Sequence, residues 1–158
     1  MKKEDHIDFV KWFSELSNKD VPIAGRKGAS LAEMYNIKIP VPPGFVVTAQ
    51  TFSYFLEKTG IKNKIHEILS KLNVDDTATL NKASKEIRKI IENTEMPKEI
   101  EYEIFESYDI LGAGENNHGV KESAMEILED TEEPFVAVRS STTTEDLIED
   151  GFAGQQDT

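Results

Sequence analysis

Three prolines and a glycine within five residues, Pro40-Val41-Pro42-Pro43-Gly44, constrain this chain more than any other stretch. Each pyrrolidine ring fixes φ at about −65° and removes an amide donor, so the run reads as a rigid, extended connection. It feeds Phe45-Val46-Val47-Thr48, rich in β-branched and aromatic residues, which predicts a short strand. Thr48 is placed to cap a helix reaching about Lys58, with Phe52, Phe55 and Leu56 inward and Gly60 ending it.

Upstream the punctuation is glycine. Val21-Pro22-Ile23-Ala24 leads into Gly25-Arg26-Lys27-Gly28-Ala29-Ser30-Leu31-Ala32-Glu33-Met34. Pro22 disfavours helix just before it, Gly25 and Gly28 bracket a turn, and helix formers run on from Ala29 with Leu31, Met34 and Tyr35 on one face. A glycine turn opening onto a helix start, and carrying Arg26 and Lys27, is a place where free amides and the positive helix end meet an anion. A tight turn with a solvated lysine gives the same pattern, and Gly-x-x-Gly alone does not separate the two. Lys27 does not follow the glycine spacing of a Walker A loop and has no hydroxyl residue after it. The opening segment Ile7–Leu16 fits a helix stripe or a short strand equally well.

Three further helices are predicted by apolar spacing. Ile61, Ile65, Ile68, Leu69 and Leu72 mark one, and Leu80, Ala83, Ile87, Ile90 and Ile91 the next. Pro97 opens the third, with Ile100, Ile104, Phe105 and Tyr108 inward. These stripes are packing surfaces. Leu111–Val120 is loop-like; Gly112-Ala113-Gly114 begins like a dinucleotide fingerprint, but Asn117 stands at the third glycine position and no strand precedes it. Lys121–Leu128 is expected as a short helix.

Chemistry is concentrated in Pro134–Thr158. An apolar, strand-like run, Phe135–Val138, delivers Arg139 into five consecutive hydroxyl residues, Ser140 to Thr144, and a Gly-x-x-Gly turn follows at Gly151–Gly154. Guanidinium, hydroxyls and glycine-freed amides are the groups that hold phosphate. An arginine ending an apolar strand must find a counter-charge or solvent, because a lone buried charge is costly. One of the 30 acids could supply a structural salt bridge; a phosphoryl group could supply bidentate pairing.

Composition narrows the classes. A chain of 158 residues with 38% hydrophobic content and a formal charge of −12 suits one domain and argues against general affinity for nucleic acid or anionic membrane. No apolar run reaches the length of a membrane span. The absence of cysteine removes disulfides and thiolate metal sites and suits a reducing cytoplasm. His6, His66 and His118 show no metal-ligand spacing, Ser140 and Ser141 lack a nucleophile elbow, and the acids Glu145, Asp146, Glu149 and Asp150 form a cluster of a kind usually solvated. The fold class expected is α+β, a small sheet with several packed helices.

Three blocks in order, Gly25–Met34, Val41-Pro42-Pro43-Gly44-Phe45, and Val136-Ala137-Val138-Arg139-Ser140-Ser141 with Phe152-Ala153-Gly154-Gln155-Gln156, resemble the N-terminal ATP-binding domain of the phosphoenolpyruvate synthase (pyruvate, water dikinase) family. The resemblance implies the N-terminal portion of an ATP-grasp-like, dikinase-type nucleotide-binding domain. Such enzymes use ATP and magnesium to phosphorylate a histidine on a mobile domain, which passes the phosphoryl group to pyruvate. Carried over by motif, Lys27 and Gly28 meet the ATP phosphates, Arg139 stabilises the transferring phosphoryl group beside Ser140, and Gly151, Gly154 and Gln155 begin a loop over the phosphates. The family pattern usually has glycine where Arg26 stands, alanines at Thr142 and Thr144, proline at Ile148, and an Ala-Ser pair at Asp150-Gly151.

The resemblance further implies a division into 1–60 (glycine turn and Pro-rich strand), 61–130 (helical subdomain) and 131–158 (Arg139 strand and start of the phosphate loop). It implies no metal ligand in this chain, those for Mg2+ lying in a downstream part, and pyruvate met only through further domains. The chain is expected to be inactive alone and to act with the rest of the enzyme, which a second chain could carry. A related dikinase-type phosphotransferase, such as a rifampicin phosphotransferase, and a non-catalytic remnant that binds a partner are the alternatives. The place of action expected is the cytoplasm.

Overall fold

The computed structural model describes residues 7–73, 76–112 and 135–143. The readings at Lys121–Leu128 and Gly151–Gln156 lie outside the described residues. Over the rest the chain is α+β, with five helices and a two-stranded sheet: β1 (Val10–Trp12), α1 (Val21–Asn36), β2 (Phe45–Val47), α2 (Ala49–Lys58), α3 (Ile61–Ser70), α4 (Thr77–Glu92) and α5 (Lys98–Gly112). The described residues fall into two compact units, one drawn from 1–51 and 102–158 and the other Phe52–Glu101.

In the first unit the ambiguous opening resolves as strand. β1 pairs antiparallel with β2, Val10 opposite Val47 and Trp12 opposite Phe45, and the two rings of the latter pair meet edge to face at 5.5 Å. A 3-10 turn, Phe13–Glu15, follows β1, with the Glu15 carboxylate accepting from the Trp12 amide at 2.8 Å. The rigid Pro40–Gly44 connection then has a visible purpose. The Phe13 ring lies against Gly44, where an added Cβ would come within 2.7 Å of it, and the Phe13 amide donates to the Gly44 carbonyl at 3.1 Å. Asn36 fastens the same turn to the end of α1, its Nδ2 donating to the carbonyls of Phe13 and Leu16 at 3.0 and 2.7 Å. Between them Phe13, Leu16, Ala24, Ala29 and Ala32 form the buried core, with Val21, Tyr35, Val41 and Val46 packed around it. Three of those five are alanines, so α1 approaches closely and the core is thin.

Thr48 caps α2 as its sequence predicts, its hydroxyl accepting from the Thr51 amide at 3.2 Å. The cap also serves the sheet: Thr48 Oγ1 donates to the Asp8 carbonyl at 3.0 Å and Thr51 Oγ1 to the Phe9 carbonyl at 2.7 Å. Both threonines are buried, and the hydroxyls of both have partners.

The second unit is helical. α2 ends at Gly60, whose φ of 74° is the left-handed value that glycine takes without cost. α3 and α4 pack on each other, with Ile61 and Ala83 buried. Not every residue expected inward is covered: Phe52, Leu69 and Phe105 are exposed. Apolar spacing identifies a face, but whether a neighbour covers that face is a property of the packed unit.

α4 has a strong start. The Asp76 carboxylate accepts from the amides of Ala78 and Thr79 and from the Thr79 hydroxyl, and the hydroxyl contact first, then the two amides, hold its pKa below the ordinary aspartate value of 3.8. A carboxylate with a lowered folded pKa contributes fully above the pKa of the unfolded chain, and that contribution is lost as pH falls through the folded value. In an acid titration followed by NMR, the Ala78 and Thr79 amides are therefore expected to keep their capped shifts below pH 3.8, and Asp76→Ala should abolish that transition.

Candidate functional site

α1 is two helical pieces joined at a break. Pro22 sits at the start of the first, where its missing amide costs nothing. Pro22 is expected to disfavour helix just before it, yet the preceding residue, Val21, already opens α1. Three residues after Pro22, Gly25 takes φ 69° and ψ 168°, a region open almost solely to glycine. The helix restarts with Gly25 as its N-cap and Arg26, Lys27 and Gly28 as its first three residues. Gly28 therefore lies in the helix and not in a turn; it is small because an added Cβ would meet Val46 at 3.1 Å and Ala24 at 3.3 Å.

A glycine N-cap has no side chain to satisfy the amide three residues on. Ser141 supplies it from the far end of the described chain. Its Oγ accepts from the Gly28 amide at 3.0 Å and donates to the Ala24 carbonyl at 2.6 Å, spanning both sides of the break. The Arg26 amide donates to the Thr142 carbonyl at 3.1 Å. One hydroxyl carries a single proton and two lone pairs, so Ser141 donates and accepts at once. The fit is close: a methyl on Gly25 would stand 2.3 Å from Ser141 Oγ and 2.7 Å from its carbonyl oxygen.

The segment so held differs from the expected strand. Phe135–Val138 has no strand pairing, and Phe135 and Val138 are 107% and 79% exposed. The β1–β2 pair is the sheet among the described residues, and these residues do not join it. Arg139 is exposed as well, so its charge is hydrated and the cost of burying a guanidinium does not arise. Among the described residues no carboxylate lies within ion-pair distance of Arg139 or Lys27. Beyond Arg139 the chain turns inward. The Oγ of Ser140 and the Oγ1 of Thr142 are buried without hydrogen-bond partners, which costs about 1–3 kcal/mol each. The arrangement thus brings the Lys27 turn and the Arg139 segment together, with Ser140 beside them. Gly151, Gly154 and Gln155 lie outside the described residues.

Two features of the site escape motif reading. The first is Ser141 itself, which the sequence offers as one of five adjacent hydroxyls. The second is charge placement. Arg26 and Lys27 occupy the first two positions of the resumed helix, no acid stands in its first turn, and cations there oppose the helix dipole at about 0.3–1 kcal/mol each. That a helix should keep both is a local conflict of the kind found where a ligand is bound. Of the turn's backbone donors, the Arg26 and Gly28 amides are already engaged. No three His, Cys, Asp or Glu residues converge among the described residues.

Comparison with known proteins gives a consistent result. The family described as pyruvate phosphate dikinase, AMP/ATP-binding domain, matches residues 21–158. A probable phosphoenolpyruvate synthase of Methanocaldococcus jannaschii is 51% identical over 158 residues, covering 99% of this chain and 12% of that protein. One of Staphylothermus marinus is 44% identical over 95% of this chain and 16% of its own length. The phosphoenolpyruvate synthase of Pyrococcus furiosus is 38% identical, over 95% of this chain and 21% of its own length. The chain therefore corresponds to about a fifth or less of each of these relatives.

The clasp makes a stability prediction. Gly25→Ala forces a non-glycine residue into a forbidden region and onto Ser141, and should destabilise the chain by about 3 kcal/mol. Urea unfolding of the two proteins measures it; a change below about 1 kcal/mol would contradict the geometry.

Proposed function

The chain belongs to the pyruvate phosphate dikinase AMP/ATP-binding domain family, and from that premise we propose that it supplies part of the ATP site of a phosphoenolpyruvate synthase. The observation that carries the reading is the pair of cations on the resumed start of α1, held beside the Arg139 segment by Ser141. Lys27 contacts the ATP phosphates as a mobile point charge, and Arg139 presents a planar fork to the transferring phosphoryl group. Gly28 packs the turn tightly enough to place Lys27, and Ser140 stands next to Arg139. Gly151, Gly154 and Gln155 belong to a loop that covers the phosphates. Phosphoryl transfer asks little covalent chemistry of the protein; positioning and neutralisation of developing charge provide the catalysis.

On this reading the fold is the first part of an ATP-grasp-like domain, with 1–60 and 131–158 contributing the phosphate groups and 61–130 the helical subdomain. The whole enzyme converts ATP, pyruvate and water to AMP, phosphoenolpyruvate and phosphate in the cytoplasm, in the service of gluconeogenesis. A phosphohistidine domain, a pyruvate site and the ligands of Mg2+ belong to its other parts. When bound, magnesium would neutralise phosphate charge; what this chain does is bind and orient the phosphates. Its partner is ATP, and it acts with the remainder of the enzyme, in the same polypeptide or a second one.

The experiment joins this chain to the remaining part of the M. jannaschii relative and follows pyruvate-dependent AMP formation. Activity is expected in the joined enzyme. Lys27→Ala and Arg139→Ala should each reduce it by about 100-fold or more, as loss of a transition-state donor does. Normal turnover in both variants would remove the assignment.

A further inference from the structure

Lys27 and Arg139 come from segments more than a hundred residues apart, and neither is held by its own neighbours. Lys27 is a long, half-buried side chain on the resumed helix start. Arg139 lies in an exposed, unpaired stretch. Phosphate recognition by two such groups requires that their backbones be fixed relative to each other before the ligand arrives. The structure shows what fixes them. The amides on either side of Lys27, those of Arg26 and Gly28, are the two that bond to Thr142 and Ser141. Arg139 precedes Ser141 by two residues, at most about 7 Å of chain. The adjoining hydroxyls, Ser140 Oγ and Thr142 Oγ1, are buried without partners, so they oppose the docking of the segment. Ser141 and the Arg26–Thr142 backbone bond hold it in place.

We infer that Ser141 is a positioning residue for phosphate binding, its hydroxyl setting the register between the Lys27 turn and the Arg139 segment by spanning Ala24 O and Gly28 N. The inference rests on the reading of Lys27 and Arg139 as phosphate contacts and adds the device that aligns them. Ser141 touches no phosphate: both its hydrogen-bonding directions are used on the backbone of α1. Without the hydroxyl, the Gly28 amide and the Ala24 carbonyl lose a partner together, and the register is left to the single Arg26–Thr142 bond. Each cation then still attracts phosphate, but the two no longer act on one group.

The distinguishing measurement is the coupling between the two cations. Affinity for a non-hydrolysable ATP analogue is measured by calorimetry in the joined enzyme described above for the unmodified chain, Lys27→Ala, Arg139→Ala and the double variant. The same four are then measured in a Ser141→Ala background. In the unmodified chain the two losses are expected to be non-additive by about fivefold or more. Ser141→Ala should weaken ATP binding by about tenfold and make the two losses additive. Ser141→Cys keeps the size of the side chain with a weaker donor; it should fall between, and it carries the test if the alanine variant does not fold. A purely structural role would lower the melting temperature while leaving affinity and coupling in the folded chain untouched, and that result in a folded variant overturns the inference alone. If the joined enzyme binds no ATP analogue, or Lys27→Ala and Arg139→Ala leave its binding unchanged, the functional reading falls and the inference with it.

Discussion

A single hydroxyl holds the candidate site together. Ser141 Oγ lies between the Ala24 carbonyl and the Gly28 amide, closing a helix break that would otherwise leave both groups unsatisfied. Everything notable nearby follows from that contact. Gly25 must be glycine, because its φ of 69° and the Ser141 atoms around it exclude a side chain. Gly28 must be small, because Val46 and Ala24 press on it. The helix restarts at Arg26, which puts two cations where the helix dipole disfavours them. Removing a partner from a buried hydrogen bond costs more than making the bond gains, so the break, the glycine and the serine are best understood as one unit.

The rest of the first unit serves this arrangement. The Pro40–Gly44 connection brings β2 back beside β1 and lays Gly44 against Phe13. Asn36 ties the end of α1 to the same turn. β2 in turn places Val46 against Gly28. The path from proline-fixed backbone to Lys27 is therefore short: rigid connection, strand, one valine, one glycine. The alanines of the core let α1 lie close enough for the path to work.

Much of this was legible from sequence wherever the cause was local. Thr48 as a cap, Gly60 as a stop and Pro97 near the start of α5 depend on residues within a turn of one another, and the structure bears them out. Pro22 reads as disfavouring helix just before it; Val21 is nonetheless the first residue of α1, because Pro22 falls in the first turn, where a missing amide breaks no bond. Gly25 was read as half of a turn; that it breaks a helix depends on a serine in a distant segment. Among Ser140, Ser141, Thr142, Thr143 and Thr144 nothing in sequence separates the one that bonds to α1 from the ones that do not. Phe135–Val138 had the composition of a strand, but a strand is a relation to a neighbour, and none is paired with it here. Phe105 failed for the same reason: spacing finds an apolar face, and only packing covers it.

The distribution of charge shows how such a site works in so acidic a chain. Phe52–Glu101 holds nine Lys or Arg and nine Asp or Glu, leaving nine against twenty-one, and so the entire −12, for the rest. The unit that carries Lys27 and Arg139 thus repels ATP at long range. At physiological salt the Debye length is about 8 Å, so acids farther off than that are largely screened, while charges in contact with a phosphate are not. Recognition must then come from a few donors placed close together, and its strength from how well they are placed. An acidic surface with two aligned cations discriminates by geometry, since an anion that cannot reach both at once meets mainly repulsion. The bond that aligns them consequently matters more here than it would on a basic protein, where the general field alone could retain the ligand.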